Sequence, residues 1–247
     1  VSHPLWLELE ALPHAGRIAR LQSDPELRRR LVEERHDDER TRWLVSNLDR
    51  SFRLGTPVDF EPDPARSLGA VAKAEGRDPC AVALDWLLED DGRAILYNTF
   101  ENYYDGNLEV VRELLEDPAT VAGIADGGAH VGYICDASSP SSMLTFWARD
   151  RTRGPQLPLE YLVQKQTSDT ARVYGLNDRG VLAPGWKADF NLIDFDRLRV
   201  LPPTVVHDLP AGGRRMVQKA EGYRHTFVSG IETMRDGSVG PMSAGTN

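Results

Sequence analysis

The chain has 247 residues, with 29 Lys and Arg against 38 Asp and Glu, a formal net charge of −9. That length allows one or two domains with a real core. Hydrophobic residues at 40% and charged residues at 27% are those of a globular protein rather than a fibre or a disordered tail. The acidic balance argues against bulk binding to nucleic acid or to an anionic membrane, and no apolar run approaches the length of a membrane span. Two cysteines, Cys80 and Cys135, and no basic-then-apolar leader lead us to expect a reduced, cytoplasmic protein.

In chain order, residues 5–36 carry helical spacing, interrupted at Pro13. The run Arg28-Arg29-Arg30 is answered by Glu33 and Glu34, the pattern of a solvated face. Residues 37–63 are irregular, pinned by Trp43 and Phe52. A helix over 65–75 stops at Gly76, and the next is announced by Asp78 as N-cap with Pro79 at its first position. Residues 94–98 form the first clear strand. A polar-aromatic loop, 100–107, precedes a helix over 108–116 that Pro118 closes.

The apolar run 119–125 then resembles a short buried strand, ending in Asp126-Gly127-Gly128-Ala129-His130. Strand, loop, helix and strand within about thirty residues is the spacing of a βαβ unit, so an α/β fold with a parallel sheet is expected. Helices follow over 141–149 and 158–174. From Asn177 the character changes to short strands and turns. Pro184-Gly185 signals a type II turn, and Gly230 a tight turn between strands 222–229 and 231–234. We therefore divide the chain at 176/177.

Asp126 is the leading chemical candidate. A carboxylate at the end of a buried strand, followed by glycines that let backbone approach a ligand, sits where α/β enzymes place their chemistry. The same string is also ordinary turn chemistry, or a helix cap. His130 is either a hydrogen-bonding loop residue or a group facing the same cavity. Cys135, His130 and Asp136 could compose a nucleophilic site, but all lie on one loop, whereas such pairs usually come from distant segments. The chain has no H-x-H, no H-E-x-x-H, no C-x-x-C, no Gly-rich phosphate loop and no G-x-S-x-G.

Two motifs in order, Ile124-Ala-Asp126-Gly-Gly-Ala-His130 and Leu182-Ala-Pro184-Gly185-Trp-Lys-Ala188-Asp189, resemble the C-terminal half of the amidohydrolase superfamily, and within it the D-aminoacylase (N-acyl-D-amino-acid deacylase) branch. The likeness continues through Asp194-Phe-Asp and Gly222–Gly230. It implies the C-terminal part of a metal-dependent hydrolase (β/α)8 barrel over 1–176, with a helical insertion, and part of a small β-sandwich over 177–247. It implies a divalent metal, zinc by expectation, with Asp126 as both metal-facing carboxylate and general base and acid. His130, Asn102 and Tyr103 become candidates for substrate contact.

The implied reaction is hydrolysis of the amide of an N-acyl (D-)amino acid or a related amide. The remaining metal ligands and the N-terminal remainder of the barrel would lie outside this chain, since a complete barrel takes about 250 residues. A homo-oligomer is allowed. A non-catalytic fragment or subunit that needs an N-terminal partner chain, or a cyclic-amide hydrolase, are the alternatives. One departure concerns substrate binding: the branch offers an arginine soon after the Asp, and here the next is Arg149.

Overall fold

The computed structural model describes residues 3–34, 47–99, 101–123, 127–128, 130–133 and 135–240. The chain divides into two compact units, one of 1–55 with 61–108 and the other of 56–60 with 109–247.

The first unit opens with three helices, α1 (Pro4–Glu10), α2 (His14–Ser23) and α3 (Pro25–Glu33). The Asp24 carboxylate accepts the Leu27 amide at 2.9 Å and starts α3 after Pro25. Charges on α3 pair as the sequence suggests: Arg29 with Glu26 and Glu33, Arg30 with Glu34 at 2.5 Å, and Arg28 across to Asp85. Trp43 lies outside the described residues.

Helix α4 (Leu68–Glu75) ends on Gly76 at φ 65, the left-handed cap that glycine supplies without strain. The Asp78 side chain accepts the Cys80 amide at 2.7 Å and caps α5 (Pro79–Leu87). Leu68, Ala72, Val82, Ala83 and Trp86 pack together as this unit's core, flanked by Leu48, Val71 and Leu96. The Arg53 guanidinium lies 4.1 Å over the Trp86 ring, sealing its outer face.

Strand β2 (Leu96–Asn98) is the strand expected over 94–98, shortened. Its partner is β1 (Ser51–Arg53), a three-residue strand inside the stretch read as irregular, and the pair is antiparallel. Ser51 and Phe52 are buried, so Phe52 does pin this segment.

The second unit begins at α6 (Glu109–Glu116). Helix α7 (Ser139–Thr145) continues into a π-helical turn over Phe146–Asp150. The helix expected over 158–174 is built from α8 (Leu159–Gln164), a π turn over Lys165–Asp169, and α9 (Thr170–Val173), and Gly175 ends it at φ 68.

The β module follows. Strands β3 (Phe190–Ile193), β8 (Tyr223–Val228), β9 (Ile231–Arg235) and β10 (Ser238–Val239) form one antiparallel sheet in the order β10-β9-β8-β3. Pairs β4 (Arg199–Val200) with β7 (Ala220–Glu221), and β5 (Thr204–Leu209) with β6 (Gly213–Val217), stand beside it. The expected turns are present. Trp186 donates its amide to Ala183 at 3.1 Å around Pro184-Gly185, with Gly185 at φ 85. Ser229 and Gly230, both at positive φ, join β8 to β9. No strand forms over 180–183.

Two expectations are corrected. The first is the parallel sheet: among the described residues every strand pairing is antiparallel. The fold here is mixed helix and strand. The described part of the expected strand, 119–123, is not strand, and Val121 is exposed. A run of small apolar residues becomes a parallel strand only when neighbouring strands pair both its edges and other elements cover both its faces. Among the described residues, no strand pairs with 119–123.

Candidate functional site

The candidate site is the segment that runs from the end of α6 through the glycines at 127–128 to the start of α7. Helix α6 stops because the chain turns at Asp117-Pro118. The Asp117 carboxylate accepts the Ala119 amide at 2.7 Å, an Asx turn, and its carbonyl accepts the Thr120 amide at 3.2 Å. The Tyr161 hydroxyl donates to the Leu115 carbonyl at 2.6 Å.

Lys165 completes that turn. It is only 2% exposed. Its ammonium donates to the carbonyls of Asp117 (2.9 Å) and Thr120 (2.6 Å) and to the Thr120 hydroxyl (3.1 Å). Three acceptors match the three N–H bonds of an ammonium. Buried charge is tolerated because it is fully hydrogen-bonded and because the carbonyls at a helix C-terminus carry partial negative charge. Lys165 belongs to none of the sequence motifs. Its signal was positional: a lysine three residues after the fully buried Leu162, on the inward stripe of an amphipathic helix.

Asp126 lies outside the described residues. Beyond it, Gly128 sits at φ 95, which favours glycine, and a Cβ on Gly127 would lie 3.6 Å from that of Ala137, so the loop folds back on itself. His130 is exposed, at φ 44. Its carbonyl accepts the Tyr133 amide at 3.0 Å, and its ring stacks on that of Tyr133 with centroids 5.4 Å apart. The turn is fastened to the β module: the Met216 amide of β6 donates to the Val131 carbonyl at 2.7 Å, and the Ser138 hydroxyl donates to Gln218.

Cys135 is half-buried, and burial first, then the neighbouring Asp136, raises its thiol pKa. A nucleophilic cysteine needs the opposite environment, so the local electrostatics disfavour a Cys135–His130–Asp136 nucleophile. Arg149 does not replace the missing substrate arginine. Its guanidinium donates to the carbonyls of Phe195 and Leu198 and pairs with Asp150 at 2.6 Å.

Asn102 and Tyr103 belong to the first unit and His130 to the second. Asn102 is exposed at φ 60. Tyr103, expected at the mouth of a site, is instead a core residue. It is 4% exposed, its hydroxyl donates to the Pro62 carbonyl, and its ring meets Phe52 edge-on with centroids 6.1 Å apart. An aromatic ring beside polar loop residues reads as a ligand contact in sequence, but burying it against Phe52 removes more apolar area from water.

Among the described residues no group of three or more His, Cys, Asp or Glu converges as a metal site. These residues do not by themselves fit a metal ion.

Comparison with known proteins agrees with the family read from the motifs. Residues 45–234 match the model of the Amidohydrolase family, a span that contains both motifs. A 5-methylthioadenosine/S-adenosylhomocysteine deaminase of Desulfitobacterium hafniense is 31% identical over 125 residues, 47% of this chain and 28% of that protein. An imidazolonepropionase of Paracoccus denitrificans is 28% identical over 158 residues, 62% of this chain and 39% of that protein. An uncharacterised protein of Mycobacterium bovis is 28% identical over 165 residues, 65% of this chain and 26% of that protein. The chain thus spans well under half the length of these relatives. Solved structures of D-aminoacylase, one described by its binuclear metal centre, are similar at 21% identity and a TM-score of 0.39, over 77% of this chain and 35% of theirs. With the family model matched over most of its length, the chain belongs to the amidohydrolase family.

Proposed function

We propose that this chain is the part of a C–N bond hydrolase that carries the proton-transferring carboxylate, Asp126, and that its substrate is an N-acyl (D-)amino acid or a related small amide. The observation that carries this reading is the family match over residues 45–234, which includes Asp126-Gly127-Gly128-Ala129-His130. In the proposed reaction a water attacks the amide carbon and the Asp126 carboxylate accepts its proton. The C–N bond then breaks, and the proton passes to the leaving nitrogen, giving a carboxylic acid and an amine. His130, on its fastened turn, is the proposed substrate contact within the second unit, and Asn102 is a further candidate.

A divalent metal, zinc in this reading, enters only through ligands from outside residues 1–247, together with Asp126. The N-terminal remainder of a barrel is the proposed source of those ligands. Residues 1–176 would then be barrel and 177–247 β-sandwich. A cytoplasmic location and a homo-oligomer are parts of the same proposal. The names of the relatives span a deaminase and an imidazolonepropionase, so a cyclic-amide substrate is the second reading.

The test is release of free amine from N-acetyl-D-methionine by the full-length protein supplied with zinc, beside the Asp126→Asn variant. Turnover by the parent and a loss of about a thousandfold or more in the variant is the expected result, because the amide can no longer accept the proton. Near-parental turnover by Asp126→Asn would overturn the role. No turnover of the acyl amino acid, with opening of a hydantoin or a similar ring, would favour the cyclic-amide reading.

A further inference from the structure

We propose that the cleft between α3 and α5 in the first unit binds a small carboxylate with an apolar tail, its carboxylate held by Arg28 and Arg77. The proposal is independent of the role given to Asp126. The cleft has a volume of about 650 Å³, the size of an ordinary small-molecule site. One wall is the face of α3 that carries Pro25, Arg28 and Val32, three and four residues apart. The other is the start of α5, with Ala81 and Leu84 on one face and Arg77 just before the helix. Helix α3 buries none of its own residues fully. Its Arg28 reaches across to Asp85 of α5, so the helices are tied at that point and the cleft stays open beside it.

The polar end of the cleft is built around Asp85. Its two carboxylate oxygens take one guanidinium each, Oδ1 that of Arg28 and Oδ2 that of Arg77. Arg77 also donates to Glu75 at 3.0 Å. Among the described residues the Arg28 guanidinium has no partner besides Asp85. Most of its N–H bonds are therefore left for a ligand. Guanidinium groups bind carboxylates through charge-assisted, often paired, N–H bonds. Two guanidiniums meet on a single carboxylate here, and a second carboxylate opposite Asp85 completes the set. The acidic residues of the lining are committed elsewhere, Glu33 to Arg29 and Asp78 to the Cys80 amide at 2.7 Å.

Beyond the guanidiniums the lining is apolar. Val32, Ala81 and Leu84 are only half-buried, so an apolar tail laid along them removes exposed apolar area from water. An ammonium head would meet Arg28 and Arg77 with like charge. An alcohol would leave their N–H bonds to water. A phosphate offers similar oxygens, but its greater charge costs more to bring against apolar walls. A carboxylate with a tail satisfies both ends of the cleft.

The experiment titrates hexanoate, hexyl phosphate, hexylammonium and hexanol into the full-length protein. Affinity is read by ligand-detected NMR, and the site by amide hydrogen exchange at saturating ligand. We expect hexanoate to bind more tightly than the other three and to slow exchange at 25–33 and 77–84. Its affinity should fall about fivefold or more in Arg28→Met, in Arg77→Met and in Ala81→Trp, which fills the cleft. Arg30→Met, on the same helix but paired with Glu34 outside the cleft, should keep affinity within about twofold.

Absence of hexanoate binding, or exchange protection confined to other residues, would overturn the proposal. Affinity unchanged in Arg28→Met and Ala81→Trp would do the same, and if Arg28→Met does not fold, Arg77→Met and Ala81→Trp decide. An equal loss in Arg30→Met would reduce the effect to the general charge of α3 and overturn it too. Equal or tighter binding of hexanol or hexylammonium would refute a carboxylate site, and tighter binding of hexyl phosphate would replace the carboxylate with a phosphate.

Discussion

At the scale of single residues, the sharpest division lies between groups whose role is set by their neighbours in sequence and groups whose role is set by the fold. Asp78 caps its helix through the Cys80 amide two residues away, and Gly76 ends a helix by its own φ. Both were readable, because the partner is local. Tyr103 and Lys165 were not, since their partners are 41 and 45 or more residues distant. Tyr103→Phe keeps the ring against Phe52 and removes only the bond to the Pro62 carbonyl. It should lower unfolding stability by about 1–2 kcal/mol, read by chemical denaturation, and leave kcat unchanged. A kcat loss without a stability loss would restore Tyr103 to the substrate site. Gly222 makes the complementary case. It sits at φ 102, and a Cβ there would come within 2.6 Å of the Leu198 Cα. Gly222→Ala should cost on the order of 2–4 kcal/mol, seen as a lowered Tm, because both left-handed strain and backbone overlap oppose it.

At the scale of elements, amphipathic helices, caps and the Pro184-Gly185 and Ser229-Gly230 turns follow from period and turn chemistry. The strand over 119–125 did not follow in its described part, because a mostly apolar run names no partner. Strand β1 escaped notice because three residues carry no period. The β8–β9 hairpin shows what does hold a predicted element. His225 Nδ1 lies 2.6 Å from Glu232 Oε1, and Arg235 also pairs with Glu232. Arg235 first, then His225, hold the Glu232 carboxyl down to about 2, from an ordinary 4.5. A depressed carboxyl pKa stabilises the folded state fully above about 4.5, and that stabilisation is lost as pH falls through about 2. The parent should therefore lose stability between pH 4.5 and 2. Glu232→Gln, with no carboxyl to protonate, should lose less over the same window, as measured by thermal unfolding at each pH. Parallel curves for the two proteins would mean that the contact contributes nothing to stability.

At the scale of the molecule, apolar residues that the described fold leaves uncovered concentrate in one stretch of the second unit. Val173, Tyr174, Leu176, Val181, Leu182 and Trp186 are all exposed, Leu182 at 76%. Single exposed apolar side chains are ordinary, but six within fourteen residues of one another exceed what scattered exposure produces. The charges around them are already neutralised. Asp178 is held down to about 2 by Lys187 first and then Arg179, and Arg179 also pairs with Asp189 at 3.0 Å. This stretch therefore offers apolar surface framed by closed ion pairs, rather than a field that would repel association. The 247-residue chain should bind a hydrophobic dye such as anilinonaphthalene sulfonate while retaining its near-ultraviolet circular dichroism. The native dichroism separates surface exposure from a loosened core, which would also bind dye. Leu182→Glu should reduce the dye signal without changing the dichroism, because Leu182 contributes the most exposed side chain of the stretch. Dye binding that survives Leu182→Glu unchanged would place the apolar surface elsewhere. Absence of dye binding by the parent would mean that this stretch is covered in solution, and cross-linking of the purified chain would then show whether a second copy covers it.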